Sequence, residues 1–204
     1  MVLRAVGQVE GHRNGQVCLL LPGDKVYLGD IITTQDQSTV KLNFFSLQNA
    51  TQAASTTDIG AGTRVSLSGE SFTRDGVQTM RVSLVVDKGT VDVSQGSTAD
   101  IDVRVQTPQG RVTVPQEGLT VSVQEETGQT LVSQPNAPQG SLAPPTLLSF
   151  VNTNGQESLI TVGVSPAAVA VGQALAPTQA ATVSPTAPVP QAGAAPSVEV
   201  PANT

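Results

Sequence analysis

Val91-Asp92-Val93 and Ile101-Asp102-Val103-Arg104-Val105 alternate an apolar residue with a charged one at a period of two. Successive side chains of an extended chain point to opposite faces, so this pattern predicts strands with one buried and one wet face. The pattern continues outward from this stretch. C-terminally it recurs in Val112-Thr113-Val114, Val121-Ser122-Val123 and Thr130-Leu131-Val132. N-terminally it recurs in Met80-Arg81-Val82-Ser83-Leu84-Val85, Val65-Ser66-Leu67, Val40-Lys41-Leu42-Asn43-Phe44 and Ile31-Ile32. Turn signals separate the runs. Asn14-Gly15 lies between Val6-Gly7-Gln8-Val9-Glu10 and Val17-Cys18-Leu19-Leu20, Asp36-Gln37-Ser38 precedes Val40, Asp75-Gly76 precedes Met80, and Thr127-Gly128 precedes Thr130. Asn-Gly and Asp-Gly between apolar runs are the strongest short-range hairpin cues. No segment sustains a helical period. The expectation is an all-β domain over residues 1–133.

The composition narrows what such a domain can do. Of 204 residues, 13% are charged and 2% aromatic, with four Phe, one Tyr and no Trp. The net charge is −6 and the ten basic residues are scattered. A basic groove and aromatic stacking platforms are both missing, which argues against nucleic-acid binding. No stretch approaches the roughly 18 apolar residues of a membrane helix, so no transmembrane segment is expected. The N-terminus lacks the basic start and apolar stretch of a secretory signal. The compartment stays unassigned: virion or cell surface is favoured, and the periplasm fits if this is a mature chain with Met1 added.

Residues 134–146 carry four prolines and read as an extended linker. A second hairpin is expected over 147–164, with Leu147-Leu148-Ser149-Phe150-Val151 and Ser158-Leu159-Ile160-Thr161-Val162 around Asn152-Thr153-Asn154-Gly155. A two-stranded hairpin is marginal alone, so it must dock on the main sheet or on a neighbour. Its Leu148, Phe150, Leu159 and Ile160 are the candidate partner-binding residues. Residues 165–204 form a low-complexity Ala/Pro/Val tail whose only charge is Glu199.

Side chains able to do chemistry are few. Cys18, the one cysteine, sits in an apolar run and is expected to be buried and inert. The one histidine, His12, reads as part of an exposed turn. Asp24, Asp30 and Asp36 are too far apart in sequence for a calcium loop. Glu125-Glu126 reads as a solvated turn. Asp100 and Asp102 on one strand face would stand about 7 Å apart, compatible with a glycosidase pair. Arg104 follows on the same face, however, and a solvated face is the simpler reading. No catalytic residue, metal site or cofactor is assigned, and the chain is not expected to be an enzyme.

Residues 6–114 resemble the FecR domain, a periplasmic β module of bacterial regulators of ferric citrate uptake. The resemblance rests on an opening Val6-Gly7-Gln8-Val9, on Gly29-Asp30 before Ile31-Ile32-Thr33-Thr34, and on Gly62-Thr63-Arg64-Val65-Ser66-Leu67. Lys88-Gly89-Thr90-Val91 and Val105-Gln106-Thr107-Pro108-Gln109-Gly110 complete it. Gly29, Asp30, Thr33, Gly89, Thr107, Pro108 and Gly110 are the family-motif turn residues. Gly29-Asp30 suits a turn in which glycine takes positive φ and the carboxylate caps an amide. The chain departs from the pattern in a Gln/Ala/Thr/Ser-rich insertion from Ser46 to Ile59, and in Pro115-Gln116-Glu117-Gly118 replacing a Gly-Thr pair. It also lacks the sigma-factor-binding segment and membrane helix of the namesake. The retention modules of giant secreted adhesins are similar too. The resemblance implies a β-sandwich or short β-roll, with a Pro/Ala-rich C-terminal tail appended.

Two functional classes follow. One is a structural or interaction module, a subunit of a surface or virion assembly, with protein partners and self-association, held partly by its C-terminal hairpin and tail. The alternative is an envelope-associated sensing or ligand-recognition module, as the FecR resemblance implies.

Overall fold

The computed structural model describes residues 1–96, 98, 100–134, 146–162 and 169–171. The described residues form fifteen strands and no helix, joined in one hydrogen-bonded sheet system. The fold is all-β, as the alternation requires. In chain order the strands are β1 Val2–Val6, β2 Val9–Arg13, β3 Gln16–Leu19, β4 Ile31–Thr34, β5 Thr39–Phe45, β6 Ala53–Ile59, β7 Arg64–Arg74 and β8 Val77–Gln95. They continue with β9 Ile101–Thr107, β10 Gly110–Thr113, β11 Leu119–Val123, β12 Thr130–Ser133, β13 Thr146–Asn152, β14 Glu157–Val162 and β15 Val169–Val171.

β8 organises the rest. Its first half pairs antiparallel with β7 and parallel with β9, through Met80↔Ile101 to Val85↔Gln106. Its second half pairs antiparallel with β6 and β11, as in Thr57↔Val93 and Val121↔Val91. Two arms therefore share one strand. The first arm runs β14-β13-β10-β9-β8-β7-β4-β2-β3. The second runs β1-β5-β6-β8-β11-β12-β15. The sequence alone suggests two strands, Met80–Val85 and Val91–Val93, with the motif turn Lys88-Gly89-Thr90-Val91 between them. The structure carries the chain through that point as a bend.

Gly89 makes the bend possible. Its φ is +88°, in the left-handed region that L side chains avoid. A Cβ there would lie 2.5 Å from the Thr63 Cα and still closer to the Thr63 hydroxyl. That hydroxyl is committed: it accepts the Thr90 amide at 2.9 Å. Thr34 Oγ1 donates to the Gly60 carbonyl at 2.5 Å and accepts the Thr63 amide at 2.9 Å. Threonine hydroxyls thus tie the loop 60–63 to the end of β4 and to β8 where the shared strand changes arm.

One apolar cluster draws on both arms. Ile32, Leu84 and Val65 come from the first, and Leu42, Ile59 and Leu119 from the second, all fully buried. Each contributes about 1.5–3 kcal/mol by leaving water. Alternation places them: β9 reads buried at Ile101, Val103 and Val105, with Asp102 and Arg104 half-exposed between.

Several expectations are corrected here. The Ser46–Ile59 insertion contains β6, an interior strand between β5 and β8. Its inward residues are mostly small, Ala54, Ser55, Thr57 and Ile59, so no apolar run announces it. Val6–Glu10 is broken at Gly7 into β1 and β2. Cys18 is exposed, not buried, because β3 is the edge of the first arm and only Leu20 beside it reaches the core. His12 lies within β2 and is half-buried, not in an open turn.

The hairpin docks at home. β13 pairs with β10, through Gly110↔Asn152 and Val112↔Phe150, and β14 closes the row. β15, inside the segment read as tail, pairs with β12. The compact unit accordingly spans Met1–Gln173, beyond the expected boundary at 133. The linker residues 135–145, the segment 163–168 and the tail residues 172–204 lie outside the described residues.

Candidate functional site

The motif turns come first, since they carried the resemblance. Gly29 has φ +94°. Asp30 is buried and accepts the Tyr27 amide at 2.8 Å, the cap expected of it. It also takes both Arg13 nitrogens at 2.6 Å, a bidentate charge-assisted pair. The Arg13 guanidinium lies 4.1 Å from the Tyr27 ring centre. The hydrogen bond from Arg13 holds the Asp30 carboxyl below the usual carboxylate range, against the opposing pull of burial. This clasp ties the loop after β3 to the tip of the β2–β3 hairpin; both Asp30 carboxylate oxygens are engaged in it, while Arg13 and Tyr27 stay about half exposed. Thr33 lies on β4 opposite Glu10 and Arg64.

The second motif turn joins β9 to β10. Thr107 Oγ1 donates to the Gly110 carbonyl at 3.2 Å, and Pro108 is exposed at the corner. The hydroxyls of Thr107 and Thr130 meet at 3.0 Å, linking the turn to β12. Gly110 is required by its neighbours, because a Cβ would sit 2.4 Å from the Val151 carbonyl oxygen and 2.5 Å from the Phe150 ring. Gly89 admits the loop residue Thr63, and Gly110 admits strand β13, at close range. Thr107 and Gly110 line one small cavity with Arg111, Val151 and Asn152, and the other motif residues do not line it.

The acidic pairs separate. Asp100 lies before β9 and is buried; its Oδ2 accepts Ser46 Oγ and the Leu47 amide, each at 2.6 Å, and the Gln48 amide at 3.2 Å. Burial pushes this carboxyl up, and the hydrogen bonds from Ser46, Gln48 and Leu47 outweigh it, so its pKa lies below the ordinary value. Asp102 is instead engaged by Arg81 at 3.0 Å and Arg104 at 3.2 Å, with Glu70 completing the network on Arg81. Two carboxylates so occupied, one as a loop anchor and one as an ion pair, do not flank a substrate. Asp24 caps the Leu21 amide at 2.8 Å, while Asp30 is clasped by Arg13. Glu125 pairs with Lys88 at 2.8 Å. Among the described residues no group of three His, Cys, Asp or Glu could hold a metal ion, and no helix is long and apolar enough to cross a membrane.

What remains is surface. The first arm ends on β3 at one side and β14 at the other. Val17 and Leu19 on β3 are 58% and 55% exposed, with Leu21 just beyond. At the far edge, Leu147 and Leu159 are 64% and 69% exposed and share one face of the β13–β14 ladder. The four hairpin residues singled out from sequence therefore divide. Leu148 and Phe150 face the chain's own core and are unavailable to a partner. Leu159 is open to solvent, and Ile160 is half-buried against the core cluster. The alternation was visible in sequence, but which row faced inward depended on docking to β10. The open β3 edge was missed, although its charge-free run from Gln16 to Pro22 could have signalled it.

No protein-family model, no curated protein and no solved structure matches the chain.

Proposed function

We propose that the chain is a non-catalytic structural or interaction module, a subunit that joins a larger surface or virion assembly through the open edges of its sheet. The observation that carries this reading is two edge strands, β3 and β14, which have no second strand neighbour among the described residues and which expose Val17, Leu19 and Leu159 beside the polar Gln16, Glu157 and Thr161. Natural sheets blunt such edges with charge, proline or a covering loop, because a bare edge templates further pairing. Long aliphatic side chains standing in water beside free backbone groups suit strand addition, in which main-chain hydrogen bonds give affinity and alternate side chains give specificity. The ionisable groups support the same view, since Asp30, Asp100 and Asp102 are each engaged within the fold.

The alternative is a FecR-like β-sandwich or β-roll acting as an envelope sensing or recognition module. The turn at Gly29-Asp30 favours it, with the positive φ and amide cap that the resemblance implies. That is an argument about fold, and fold does not carry function.

Sedimentation velocity over a concentration series distinguishes the two. The full chain should show a mass rising above 20.8 kDa. Charges on both edges, in Val17→Lys/Leu159→Lys, should restore the single-chain mass. A single-chain mass at every concentration for both proteins would overturn the assembly reading and leave the sensing module as the better one.

A further inference from the structure

We propose that β3 pairs antiparallel with β3 of a second copy of this chain, across a two-fold axis that passes between their Cys18 residues. This inference rests on the assembly reading and names both the edge and the partner.

The register of the β2–β3 hairpin shows which backbone groups are free. Asn14 and Gly15 have φ of 50° and 77°, a two-residue turn of the primed kind, and Arg13↔Gln16 close it. In such a ladder hydrogen-bonded and non-hydrogen-bonded pairs alternate away from the turn. Arg13↔Gln16 and Gly11↔Cys18 are then hydrogen-bonded, and the Leu20 amide bonding the Val9 carbonyl at 2.8 Å continues that phase. His12↔Val17 and Glu10↔Leu19 are the other kind. The amides and carbonyls of Val17 and Leu19 therefore point away from β2, toward the open edge. Among the described residues no loop hydrogen bond reaches them.

Those two residues flank Cys18, so two copies paired about Cys18 would use both outward-facing residues of each β3. Antiparallel pairing about Cys18 sets Val17 opposite Leu19 of the other chain, and Leu19 opposite Val17. Each pairing exchanges both hydrogen bonds, four in all. An isologous contact brings every residue near its own kind, so charge on the edge would repel itself. β3 carries no charge and no proline. The side chains agree with the backbone. Val17 and Leu19 share one face, so the pairing would merge four aliphatic side chains now exposed. Cys18 lies on the other face, its Sγ 3.4 Å from the Gly11 carbonyl oxygen and beside the Leu20 side chain, so a rotation about its Cα–Cβ bond brings the thiol to the open edge.

The axis leaves a readable mark. Cys18 faces Cys18 in a non-hydrogen-bonded pair, where Cα atoms stand about 4.5 Å apart, within the range a disulfide spans. The thiols are reporters of the pairing and do not cause it.

The full chain under reducing conditions should show by light scattering a mass twice 20.8 kDa. Diamide, accepting the two electrons and two protons released as two thiols join, should convert that dimer to a disulfide-linked species on a non-reducing gel. Cys18→Ser should keep the doubled mass and lose the cross-link. Val17→Lys, on an exposed position that leaves the circular dichroism unchanged, should lose both. A dimer that survives Val17→Lys and does not cross-link would overturn the β3 pairing while leaving the assembly reading standing. A single-chain mass at all concentrations would overturn both, and a cross-link appearing without a doubled mass would reduce the contact to collision and overturn the pairing.

Discussion

Gly89 and Gly76 both have positive φ, yet they answer to different demands. At Gly76, in the turn between β7 and β8, a Cβ would meet nothing within 4 Å. At Gly89 it would strike the Thr63 backbone. Gly76→Ala should therefore cost only the left-handed strain, about 1–2 kcal/mol. Gly89→Ala adds the displacement of a buried loop and should cost about 3 kcal/mol or more. Urea denaturation of both variants checks the order, and equal losses would contradict the close packing at the bend. Asp30 sets a second prediction. Its carboxyl is held below its unfolded value, so the native state binds fewer protons than the unfolded chain in acid. The resulting stabilisation is complete above about pH 4 and disappears as pH falls through the native pKa. Asp30→Asn should lower stability at pH 7 by about 1–3 kcal/mol, and should flatten the acid limb of stability against pH. An acid limb unchanged in that variant would remove Asp30 from the account.

Elements differ in how openly the sequence declared them. β9 and β11 were legible because alternation and burial coincide there, as at Val103 and Val121. β6 was hidden, since an interior strand can be lined with Ala, Ser and Thr when its neighbours leave little room. β3 misled for the opposite reason. Its apolar run was legible, but an edge strand has one side without cover, so apolar residues there do not mark the interior. The parallel pairing of β8 with β9 has no local signature at all. Of the candidate site, the aliphatic positions were legible and their orientation was not. The hairpin yields the corresponding prediction. Phe150→Ala, emptying a buried position beside Gly110, should cost about 3–5 kcal/mol. Leu159→Lys, on the outward row, should change stability by less than about 0.5 kcal/mol. Thermal melts of the two variants test this, and comparable losses would mean that the two rows are exchanged.

For the whole molecule the question is where the folding unit ends. Strand alternation placed it at residue 133, whereas β13 and β14 complete the first arm and β15 extends the second. Cutting there removes Leu148, Phe150 and Val162 from the core, each worth about 1.5–3 kcal/mol in burial. The sum is comparable with the 5–15 kcal/mol that typically separates folded from unfolded chains. A 1–133 fragment should accordingly melt far below a 1–173 fragment by circular dichroism, or fail to fold. Coincident melts would return the boundary to 133.

The strand shared by the two arms has a consequence for how the molecule opens. β8 has a neighbour on each side along both halves, so neither arm can separate while it stays paired. At 3.3 Å per residue its 19 residues trace about 60 Å of chain, bent at Gly89. Local fluctuations can fray β3 or β14 and release their amide protons to solvent within the native state. The β8 amides on both sides of Gly89 have no such route. They should exchange with deuterium together, at the rate of global unfolding, and so make the whole unit a single cooperative block.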